Sequence, residues 1–149
     1  MGNTSMNELM SQLLITLVEG QVYLLRSDLP STPELLPQLD QEFIQVMDTS
    51  HVSLVHLISF ITADNTVSLR EARKAKYSSH PRMGYNVSIG AFHNPALRFI
   101  IAVSISLTRA RYKDVNTLAE ACAFLAQKDH FLPPLHTWNL PSHVDASAS

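Results

Sequence analysis

Seven histidines are the side chains best suited to chemistry in this chain of 149 residues: His51, His56, His80, His93, His130, His136 and His143. No pair has the His-x-x-x-His spacing of a helical zinc site, and no Cys-x-x-Cys accompanies them. His56 sits inside an apolar run and reads as a core histidine, with a catalytic role as the competing reading. His93 stands just before a helix start, a place that attracts anions, but it stands there alone. The single cysteine, Cys122, lies between Ala121 and Ala123. It reads as a small buried hydrophobe, because no motif supplies the base and electropositive niche of a nucleophile. One cysteine also forms no internal disulfide, so nothing indicates an oxidising compartment. No G-x-S-x-G, P-loop or G-x-G-x-x-G is present, and Gly84 and Gly90 are too far apart to cradle a phosphate. The expectation is a non-enzymatic chain with no catalytic residue, no metal and no cofactor.

Charge points to surfaces instead. The net charge is -2, and charged residues make up 16% against 46% hydrophobic. That balance fits one folded domain and carries no bulk attraction to nucleic acid, so no nucleic-acid partner is expected. The distribution is uneven. Residues 1–64 hold eight acids against Arg26 alone, while residues 65–149 hold five acids against ten bases. Arg70, Arg73 and Lys74 share one helical face, with Lys76 and Arg82 nearby. A solvated helix face is one reading; a docking patch for an acidic partner, or for the acidic half of a second copy, is the other.

These residues need elements to position them. Leu13–Val18 and Gln21–Arg26 flank Glu19-Gly20 and predict a β-hairpin. Ser31-Thr32-Pro33-Glu34 is a helix-start signature, followed by Leu36, Leu39, Phe43, Val46 and Met47 at helical spacing. Pro37 predicts that the regular helix begins only there. His51–Ile61 reads as a buried central strand. Ala63-Asp64-Asn65 is a turn, and Ser68-Leu69-Arg70-Glu71 is a capping box opening a short helix to about Ser78. Tyr85–Ala91 alternates as a strand, and Asn94-Pro95 opens a helix to Thr108. Arg111–Val115 reads as an edge strand. Thr117-Leu118-Ala119-Glu120 caps a last helix whose inward face is Leu118, Ala121, Cys122 and Leu125. The order β-β-α-β-α-β-α-β-α predicts an α/β fold: a mixed, mostly parallel sheet opened by a hairpin, with about four helices. Residues 1–11 form an arm, 12–129 the domain, and 130–149 a Pro-containing tail with a mobile end.

The order and several segments resemble the STAS domain of sulphate transporters and anti-sigma factor antagonists, in particular small bacterial STAS-like proteins. The resemblance covers Leu13 to Lys128. It is carried by the hairpin, by Gln45-Val46-Met47-Asp48, by Val55-His56-Leu57-Ile58, by residues 90–99 and by residues 116–125. It implies a regulatory, protein-binding module. In such domains a serine at the start of the helix after the central strand is phosphorylated by a kinase partner. Ser68 and Thr66 stand at that place, although the Asp-Ser-Ser-Gly-like signature is absent and Ser68 already serves as a cap. Partner docking is expected around Asp64, Arg70, Arg73, Lys74 and Lys76. The protein partner itself, a kinase or another regulator, is not named by the sequence.

The helix opened by Asn94-Pro95 carries surplus apolar surface. Arg98, Ala102, Ser106 and Arg109 make a narrow small or polar stripe, and Leu97, Ile100, Ile101 and Ile105 lie among the apolar remainder. A homodimer face is the preferred reading. Cover by the tail and an apolar, lipid-like ligand site are the alternatives. The longest apolar stretch, Leu97–Leu107, is too short for a membrane span of about 20 residues. With no signal peptide pattern, a cytoplasmic location is expected.

Overall fold

The computed structural model describes residues 13–26, 35–60, 76–77, 80–89 and 111–141. The expected helix at 94–108 lies outside the described residues, as do residues 68–75 of the helix expected to about Ser78, the N-terminal arm and the last eight residues.

Five strands form one sheet in the order β1-β2-β3-β4-β5. They are β1 (Leu14–Val18), β2 (Val22–Leu25), β3 (Val55–Phe60), β4 (Met83–Ile89) and β5 (Arg111–Val115). The β1–β2 pair is antiparallel and the next three pairs are parallel. The expected α/β fold with a mostly parallel, hairpin-opened sheet is therefore present. Gly20 makes the hairpin turn with φ of 74°, a conformation that costs a side-chain-bearing residue more. The Ser50 hydroxyl donates to its carbonyl at 2.9 Å, tying the turn to the following helix.

Helix α1 (Leu35–Thr49) covers one sheet face. Leu39, Phe43 and Met47 bury themselves, and Phe43 and Met47 pack with Tyr23, Val55, Leu57 and Met83. The helix starts before Pro37, not at it. Pro37 falls in the first turn, where backbone N–H groups have no intrahelical partner, so its missing donor costs nothing there. Strand β3 likewise begins at Val55 rather than His51, because residues 51–53 bend before entering the sheet. All six β3 residues are buried, as a central strand covered on both faces requires.

Helix α2 (Leu118–Lys128) lies on the opposite face. Thr117 accepts the Glu120 N–H at 3.1 Å, and Glu120 reaches back to the Asn116 N–H at 3.0 Å, a shifted capping box. Leu118, Ala121, Cys122 and Leu125 point inward as their spacing predicts, against Val22, Leu24, Ile58, Phe60, Val87, Ile89 and Val115. The core does not stop at residue 129. Trp138, just past the 3-10 turn Leu135–Thr137, is buried with this cluster and donates its Nε1–H to the Pro133 carbonyl at 3.1 Å. The Asn139 N–H donates to the Leu17 carbonyl at 3.0 Å. Leu17 lies between the paired residues Thr16 and Val18 at an irregularity of β1. Trp138 and the partly buried Leu132 thus pack onto the body after α2 ends, while Phe131 stays exposed.

Candidate functional site

Four polar arrangements occur among the described residues. The first lies at the carboxyl edge of the parallel strands. The register places Leu25, Ser59, Ser88 and Asp114 in one row across β2 to β5. Side chains alternate along a strand, so Ser59 and Ser88 face the α1 side while Ile58, Phe60, Val87 and Ile89 face α2. The hydroxyls of Ser88 and Tyr112 touch, and both donate to Oδ1 of Asp114, at 2.6 and 2.5 Å. This knot closes the β4–β5 edge. Among the described residues no histidine stands beside Ser88, because His56 is on the other face of the sheet.

The second arrangement is built around His56, which is fully buried. Its Nδ1 accepts the Tyr85 N–H at 2.9 Å, and its Nε2 meets Asp129 Oδ2 at 2.9 Å. The backbone contact occupies the Nδ1 lone pair, so the neutral ring carries its proton on Nε2 and donates it to the carboxylate. Burial is the largest influence and holds the imidazole below the ordinary histidine value. Asp129 pulls the other way, and the Arg111 charge adds to the lowering. Between Val55↔Met83 and Leu57↔Asn86, β4 spends one extra residue, so Gly84 and Tyr85 face His56 alone. A Cβ on Gly84 would come within 2.3 Å of Nδ1. Asp129 also accepts the Phe131 N–H at 3.0 Å and caps α2. With both ring nitrogens engaged, His56 joins β3, the β4 bulge and the end of α2; it has no lone pair to act as a base.

The third arrangement fastens α1 to the segment before β4. Asp40 accepts the Lys76 N–H at 3.0 Å and the Tyr77 N–H at 2.9 Å. His80 Nε2 meets Asp48 at 2.7 Å while its Nδ1 accepts the Arg82 N–H at 3.0 Å. Arg82 donates to the Met47 carbonyl at 3.0 Å and to that of Ser50, closing the C-terminal end of α1. Lys76 is thereby placed beside an acid of α1. It is the one residue of the expected docking group that is described. Asp64, Thr66, Ser68, Arg70, Arg73 and Lys74 lie outside the described residues, as do Leu97, Ile100, Ile101 and Ile105 and the candidate His93.

The fourth arrangement is cationic. Lys113 and Lys128 both set their ammonium groups on the Phe124 ring, and exposed Arg111 stands two residues from Lys113. Sequence reading missed this cluster and the Ser88–Tyr112–Asp114 knot. The alternation of Tyr112 and Asp114 signals a shared face, but the partner strand has to be known first. Among the described residues no three His, Cys, Asp or Glu side chains group as metal ligands. No helix among them is long and apolar enough to cross a membrane.

No family model, no curated protein and no solved structure matches this chain.

Proposed function

We propose that the chain is a non-enzymatic STAS-like regulatory domain that acts by binding a protein partner, with control by phosphorylation at Ser68 or Thr66. The sheet order carries this reading. It opens with an antiparallel hairpin and then runs β2 to β5 in parallel without reversing. Open α/β sheets bind nucleotides where the strand order reverses, and no such switch point occurs among these strands. Strand β3 ends at Phe60, four residues before Asp64 and eight before Ser68. The expected switch region therefore follows the central strand directly, as the resemblance requires. The engaged nitrogens of His56 add support for a binding role over a catalytic one.

In this reading the two crossovers at 61–75 and 90–110 complete a four-helix STAS topology, and the apolar face of Leu97, Ile100, Ile101 and Ile105 joins two copies. An apolar-ligand carrier built on those same four residues stands second, since no described residue favours it.

The test is capture of partners on the wild-type chain, on Thr66→Ala/Ser68→Ala and on Ser68→Asp. A phosphate adds nearly two negative charges, so a partner held by the wild type and by the alanine variant is expected to be lost by the aspartate variant. Equal capture by all three removes phosphorylation control.

A further inference from the structure

We propose that the β5–α2 surface centred on Phe124 is a docking site for an acidic segment of a partner protein, separate from the region of residues 64–76. Three exposed cations converge there. Lys113 Nζ lies 5.7 Å from the Phe124 ring centroid and Lys128 Nζ lies 5.8 Å from it. Phe124 stands one helical turn before Lys128, and its ring meets Tyr85 edge-on at 5.0 Å. The aromatic platform is thus held from below while two ammonium groups gather on it. Arg111 precedes Lys113 by two residues on the same edge strand, so alternation sends both to one side. Its charge already acts on buried His56 nearby.

Among the described residues, no carboxylate forms an ion pair with any of these three cations. The acids close by in the chain have other work. Asp129 is buried against His56 and the Phe131 N–H. Glu120 binds the Asn116 N–H at the far end of α2, and Asp114 is tied into the knot with Ser88 on the α1 side. Like charges this close repel one another, and a carboxylate-bearing partner relieves that repulsion. The aromatic ring adds a desolvated wall that strengthens each contact. An acidic protein segment fits better than nucleic acid. The chain's net charge is -2, which gives no bulk attraction to a phosphate backbone.

The test is fluorescence anisotropy of a labelled poly-glutamate peptide titrated with the full chain at low and at high salt. A poly-dT oligonucleotide runs in parallel, and sedimentation of the chain alone is measured at both salts. The wild type is expected to bind the peptide at low salt and to lose it at high salt. Lys113→Gln/Lys128→Gln is expected to weaken binding at least about tenfold, the scale of two lost charge contacts. Arg70→Gln/Arg73→Gln is titrated in parallel, and a larger loss of peptide binding in it than in Lys113→Gln/Lys128→Gln would place the acidic contact in the region of residues 64–76 and overturn the proposal. Both lysines are exposed, and an unchanged melting curve for the double variant shows that the fold persists. Equal binding by that variant, tighter binding of poly-dT than of peptide, or salt-sensitive self-association lost in that variant would each overturn the proposal.

Discussion

His56 and Gly84 depend on each other. The ring fills the space where a Gly84 side chain would stand, and the bulge provides the N–H that holds the ring. Gly84→Ala is expected to cost about 1–3 kcal/mol by forcing the ring aside, read as a lowered midpoint in urea unfolding. Asp129→Ala leaves a buried N–H without its acceptor and is expected to cost a similar ~1–3 kcal/mol. The histidine also sets a pH dependence. Folding favours its neutral form, so its contribution is complete above the unfolded value of about 6.5 and is lost as pH falls below it. Urea midpoints of the wild type should therefore decline from pH 7 toward pH 5, and His56→Gln should flatten that decline while lowering stability at pH 7. A wild type with no decline over this range would contradict the neutral state assigned to the buried ring.

Elements were legible in the sequence where one periodicity ruled a segment. Leu118, Ala121, Cys122 and Leu125 repeat at helical spacing behind a capping box, and all four are buried. Tyr85, Val87 and Ile89 alternate, and all three pack toward α2. Contacts between distant segments left no such trace. Asp129 lies 73 residues from His56, and nothing local to either marks the pair. Pro37 misled because its cost depends on its distance from the helix start, which local sequence blurs. Trp138 is ambiguous in sequence, because the prolines around it resemble a linker while its indole suits a core. Trp138→Ala is accordingly expected to cost ~3–5 kcal/mol, the range for emptying a large core site, with the loss read in thermal and urea unfolding. Thr117→Ala is expected to cost only about 1 kcal/mol, since it removes one cap from an otherwise packed helix.

At the scale of the molecule, the near-neutral total hides two unlike regions. The first 64 residues carry most of the acids, and the later residues carry nearly all the bases. The described structure gives part of that imbalance a location, with Asp40 and Asp48 on α1 and three cations at the β5–α2 edge. Sheet and core position these surfaces but leave no described histidine, serine or carboxylate arranged as a nucleophile with its base. The expected dimer is tested by light scattering at micromolar concentration: a mass of two chains is expected, falling to one chain for Ile100→Asp/Ile105→Asp. A monomeric wild type would remove that proposal. The most direct test of the interaction function is affinity capture from the native host, with bound material identified by mass spectrometry. The wild type is expected to retain a protein partner in near-equal amount, and Arg70→Glu/Arg73→Glu/Lys74→Glu is expected to lose it. Recovery of the chain with no protein partner, or with an apolar small molecule in its place, would contradict a regulatory interaction domain.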